Sequence, residues 1–126
     1  MNIYRDMLEQ VRDLKIKKDD LPSISYEDET ELIENPVVLN RNHVIHVLKR
    51  YKQERLSQEN LFDWVHFVWF SDLFTCEPED ADSIASVIQV LEELEEEGII
   101  EPEDVDYCLH ALENNEIAES LFEEDL

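Results

Sequence analysis

With 126 residues and a mass of 15.0 kDa, the chain is the size of one compact domain, and 43% apolar residues suffice for a core. Its 33 acidic residues outnumber 10 basic ones, a formal net charge of -23 that repels phosphates and anionic headgroups and so excludes a general nucleic-acid or membrane-surface binder. A single glycine, Gly98, also excludes barrels, sandwiches and phosphate-cradling loop folds, which need several positive-φ or close-approach positions.

Residues 2–18 read as a first helix, with Tyr4, Met7, Leu8, Val11 and Leu14 at helical spacing and Lys15, Lys17 and Lys18 in its last turn, where cations suit the dipole. Residues 19–41 are less regular, because Pro22 and Pro36 limit any helix between them; Glu27 to Glu34 can form a short one. Asn42 is a cap candidate for a helix carrying Val44, Val47, Leu48 and Tyr51. Ser57 is a second cap candidate, before a run from Leu61 to Phe70 that only Asp63 and His66 interrupt. No second strand candidate of that strength exists, so this run predicts a central buried helix with Trp64 and Val68 deep in the core.

Pro78 and the acids after it open the next helix, whose stripe is Ile84, Val87, Ile88, Leu91 and Leu94 and whose stop is Gly98. Pro102 suits the first turn of another, with Val105, Cys108, Leu109 and Leu112 as its stripe and Asn114 and Asn115 as its end. Ile117, Leu121 and Phe122 suggest a last short helix or a docking tail. The expected fold is all-α: a single-domain irregular bundle of five or six helices over residues 1–126. Residues 1–41 supply a helix plus an irregular segment, and residues 42–126 the helical core.

The charge is divided along the chain. All ten Lys and Arg lie at or before Arg55, together with 11 acids, whereas residues 56–126 hold the other 22 acids and no Lys or Arg. Glu77, Glu79, Asp80 and Asp82 precede or open one helix, Glu93, Glu96 and Glu97 lie beside its stripe, and Glu101, Glu103, Asp104 and Asp106 begin the next. These eleven residues are the candidate partner-binding set. Uncompensated like charge costs stability by self-repulsion, and a basic protein partner would relieve it; solubility is the plainer use of such a surface.

Other motifs are weaker. His43-x-x-His46 has metal-ligand spacing, but both residues flank an apolar stripe, where boundary histidines are the commoner explanation. Asp63-x-x-His66 shares one helical face and reads as a hydrogen-bonded pair at the core edge sooner than as an acid–base couple. The Glu77–Ser83 stretch lacks the central glycine and closing glutamate of a calcium loop. Cys76 and Cys108 form no Cys-x-x-Cys pair, and the longest apolar run is Phe67–Phe70, which with the absence of a signal-like N-terminus predicts a reduced cytoplasmic protein. No catalytic set, metal or cofactor is assigned, and the expectation is a binding protein, not an enzyme.

Leu56-Ser57-Gln58-Glu59-Asn60-Leu61-Phe62-Asp63-Trp64 and the later Gly98-Ile99-Ile100-Glu101-Pro102-Glu103 resemble the helix starts of small acidic helical bacterial proteins, some of which are immunity proteins. The resemblance spans residues 43–112 and implies a cytoplasmic inhibitor of one toxin or nuclease domain, with no catalytic residues. The alternative is a nucleic-acid mimic of the phage anti-restriction kind. A mimic needs carboxylates in extended rows, whereas an inhibitor needs a local acidic patch around an apolar or aromatic anchor.

Overall fold

A computed structural model describes residues 3–98 and 100–120 of the chain. Six helices, α1 (Ile3–Arg12), α2 (Tyr26–Glu34), α3 (Arg41–Lys52), α4 (Gln58–Phe70), α5 (Ala81–Glu97) and α6 (Pro102–Glu113), make a mainly helical single-domain fold, as the sequence predicts. Ser25, Asn40 and Ser57 cap α2, α3 and α4: their side-chain oxygens accept from the backbone N–H groups of Asp28, His43 and Asn60. The cap of α3 is therefore Asn40, two residues before Asn42. Gly98 ends α5 in the left-handed region at φ 80°, and Pro102 occupies the first turn of α6, both as expected.

Two expectations are corrected. The first helix stops at Arg12, because Leu14 adopts a left-handed φ of 64° and turns the chain; Lys15, Lys17 and Lys18 follow in an irregular segment with a short 3-10 turn at Lys18–Asp20. The fold also contains two short strands, β1 (Val37–Leu39) and β2 (Phe74–Cys76), which pair in parallel with Val38 opposite Thr75. α3 and α4 supply the crossover that a parallel pair requires.

Among the helices, α3 packs most extensively against α6, followed by α5 against α6. α4 packs on α1, α3 and α5 through Leu61, Trp64, Val65 and Val68, with Trp64 5% and Val68 2% exposed. Its far edge is open, since Phe70 is 66% exposed and Asp63 and His66 are half-buried. The Trp64 indole N–H donates to the carbonyls of Val11 and Arg12, at 3.2 Å each; the Val11 carbonyl also accepts from the Leu14 N–H, so the acceptor that Trp64 alone satisfies among the described residues is Arg12, at the end of α1. After α6, Asn115 adopts a φ of 52° and the chain runs back irregularly through Ile117 and Ala118. Leu121 and Phe122, the rest of the expected last helix or tail, lie outside the described residues.

Candidate functional site

α5 and α6 form an antiparallel hairpin around Gly98, and this geometry separates the eleven candidate acids into two groups. Seventeen residues of α5 span about 25 Å. Glu77, Glu79, Asp80 and Asp82 lie at its N-terminal end, beside the end of α6, where the Asn115 amide donates to the Glu79 carbonyl. Glu93, Glu96 and Glu97 lie toward the other end, next to Glu101, Glu103, Asp104 and Asp106 at the start of α6.

Asp80 stands apart from its neighbours. It is 9% exposed, and its carboxylate does not cap α5 but turns to α3, accepting from the Arg41 backbone N–H at 3.0 Å and from the Arg41 Nε at 2.8 Å. Arg41 donates a further bond, at 2.7 Å, to the Leu112 carbonyl near the end of α6. One guanidinium thus ties α3, α5 and α6 together. The Arg41 backbone N–H and then its guanidinium hold the Asp80 carboxyl below the usual carboxylate range. Asp80 is a structural residue, and no local pattern points to its partner 39 positions away.

The remaining acids differ in their freedom. Asp106 pairs with Lys52 of α3, so two ion pairs, this one and Arg41–Asp80, join the near-neutral half to the acidic half. Asp104 accepts the Glu101 backbone N–H at 2.9 Å and closes the first turn of α6. Glu93 accepts from the Ser120 hydroxyl, and Glu95 meets His66 of α4 at 2.7 Å. Glu77, Glu79, Asp82, Glu96, Glu97, Glu101 and Glu103 are exposed, with no ion pair among the described residues. Glu95, Glu96 and Glu97 occupy the last turn of α5 without a basic residue, at the negative end of the helix dipole, where each carboxylate is unfavourable.

Between the two acidic ends, α5 carries no acid from Ser83 to Leu91. The segment after α6 crosses this interval. The Ala118 N–H donates to the Ser86 hydroxyl at 2.8 Å, and the Tyr107 hydroxyl both donates to the Glu119 carbonyl and accepts the Glu119 N–H. Ala118 is buried, but Ile117 is 59% and Tyr107 36% exposed. Glu103, one turn before Tyr107, and Glu116 and Glu119, beside Ile117, are exposed too. The site therefore adds Tyr107, Glu116 and Glu119 to the expected residues, and Ile117, expected in a last helix or docking tail, is an exposed part of it. Tyr107 was legible as the aromatic residue on α6 that falls outside the Val105–Leu112 stripe.

The other motifs resolve without chemistry. His43 Nδ1 accepts the Asn40 N–H at 2.9 Å, closing a reciprocal cap, and burial, followed by the Arg12 charge, pushes the imidazole below its ordinary range. His66 meets Glu95, not Asp63. Burial, then the Asp104 charge, pushes the Cys108 thiol up to about 12; burial and Asp80 raise Cys76 as well. Among the described residues, no three His, Cys, Asp or Glu are grouped to hold a metal ion, and no helix is long and apolar enough to cross a membrane. No protein-family profile, curated protein or solved structure matches this chain.

Proposed function

We propose that this protein is an acidic protein-binding inhibitor of the immunity or antitoxin kind, which neutralises a basic toxin or nuclease by direct binding in the bacterial cytoplasm. The observation that carries this reading is the exposure of Tyr107 and Ile117 among carboxylates on the α5–α6 face. Protein–protein interfaces concentrate their affinity in aromatic or aliphatic anchors surrounded by polar residues, and complementary charge steers the encounter. Glu96, Glu97, Glu101 and Glu103 are the acids at the α5–α6 turn that are free to meet cations of a partner. The strain of three glutamates at the end of α5 is relieved when such cations arrive.

The second reading, a nucleic-acid mimic, draws support from Glu116 and Glu119, which bring carboxylates to the interval that α5 leaves uncharged. A duplex surface offers no counterpart to Ile117, which favours the inhibitor. Affinity capture from bacterial extract at low salt tests the reading. A basic protein retained by the parent and lost when Glu96, Glu97, Glu101 and Glu103 become Gln supports it; an unchanged capture profile overturns it.

A further inference from the structure

The basic residues of the N-terminal part of the chain gather around a cavity whose charge runs against that of the whole protein. A cleft of about 690 Å³ lies between the irregular segment after α1 and the junction of α3 with α4. That volume falls in the range of small-molecule sites, roughly 300–1,000 Å³. Lys15, Lys17, Lys18, Arg50 and Arg55 line it, half of all the Lys and Arg in a protein of net charge -23. None of the five forms an ion pair among the described residues, although the other five cations include four that do.

Arg50 adds an independent observation. Its Nε is buried with no hydrogen-bond partner among the described residues. Buried donors without a partner are rare, and this one belongs to a guanidinium that is left uncommitted at the cleft wall. The backbone also concentrates these cations: Leu14, at a φ of 64° that a leucine seldom adopts, turns the chain so that Lys15, Lys17 and Lys18 face α3 and α4 instead of extending α1. Asp19, Asp20 and Asp63 also line the cleft, so cations exceed carboxylates there by a small margin. Leu14, Leu56 and Trp64 give it an apolar wall.

We propose that this cleft binds a small phosphate-bearing molecule with an apolar or aromatic portion. Lys15, Lys17, Lys18, Arg50 and Arg55 meet the phosphates, and the apolar portion lies against Leu14, Leu56 and Trp64. Guanidinium groups match phosphate oxygens bidentately, and several cations around one cleft suit a dianion or polyanion better than a single carboxylate. The field of the acidic half repels a nucleic-acid polymer over much of its length, and a compact ligand exposes less charge to it. Arg55 and Leu56 also border Ile100 and Pro102 at the start of α6, but the proposal requires no particular reading of the acidic face.

The test uses the full chain carrying Trp69→Phe, so that Trp64 alone reports by fluorescence, titrated with pyrophosphate, ADP or citrate at matched ionic strength. Saturable binding of ADP and pyrophosphate is expected, with ADP tighter and a Kd below about 1 mM. Arg50→Gln weakens both by about tenfold or more, the loss of one charge-assisted contact. Lys17→Gln with Lys18→Gln, at exposed positions that leave folding intact, weakens them similarly. Lys49→Gln, outside the cleft, leaves them unchanged. The proposal is overturned by the absence of saturable binding, by citrate binding as tightly as pyrophosphate, or by Lys49→Gln acting as strongly as Lys17→Gln with Lys18→Gln.

Discussion

Removing a negative charge from a protein of net charge -23 ought to stabilise it by relieving repulsion, yet Asp80→Asn is expected to do the reverse. The Asp80 carboxylate accepts two bonds from Arg41, whose third bond reaches the end of α6. Hydrogen bonds to charged groups contribute about 1.5–3 kcal/mol each. The two side chains are 29% and 13% exposed, and water replaces part of what is lost, so the expected cost is about 2–3 kcal/mol. For a domain of this size each kcal/mol shifts the midpoint by about 3–5 °C, giving a drop of about 6–15 °C. Thermal unfolding of Asp80→Asn, Arg41→Gln and the double variant measures it, with the single effects clearly non-additive. The lowered carboxyl pKa adds a pH signature. The contribution is complete above the ordinary carboxylate value of 3.8 and is lost as pH falls below it through the folded-state value. An Asp80→Asn protein that melts at or above the parent temperature refutes the tie.

Three further outcomes are expected. Trp64→Ala costs about 3–5 kcal/mol in thermal or denaturant unfolding, from the emptied volume and from the Arg12 carbonyl left without its donor. Glu96→Gln with Glu97→Gln raises the melting midpoint by about 1–4 °C at low salt, and the gain shrinks as added salt screens the parent. His43 has a folded-state pKa below the ordinary 6.5, so the unfolded chain binds its proton more readily and stability falls as pH drops from 6.5 to the folded value. Unfolding of His43→Gln across that window is expected to lack this slope.

The helices of the C-terminal half were legible because their stripes, caps and stops agree: Ser57, Gly98 and Pro102 stand where the structure uses them. The N-terminal part was legible only in outline. Leu14 continues the apolar period of α1, and nothing local shows that its backbone turns left-handed, with its side chain half-buried against the core. β1 and β2 are three residues each, too short for alternation to register, and each is a strand only because the other lies beside it. Acidic residues were readable as a composition but not as a surface. Whether a carboxylate is free, like Glu97, or committed, like Asp80, depends on partners distant in sequence. Tyr107 was legible as lying outside the α6 stripe and Ile117 as part of a tail, but their meeting on one exposed face was not, because it depends on where the chain after α6 docks.

The dissociation rate of a captured basic partner, compared between the parent, Tyr107→Phe and Tyr107→Ala, tests the role of the acidic face most directly. An anchoring ring predicts that Tyr107→Ala dissociates about 30-fold faster or more, the scale of a central interface residue. Tyr107→Phe, which keeps the ring and loses only the bonds to Glu119, is expected to stay close to the parent. Glu96→Gln with Glu97→Gln should instead slow association and flatten its salt dependence. If Tyr107→Ala releases the partner at the parental rate and affinity follows only the number of carboxylates remaining, the face acts by charge alone, and the nucleic-acid mimic replaces the inhibitor.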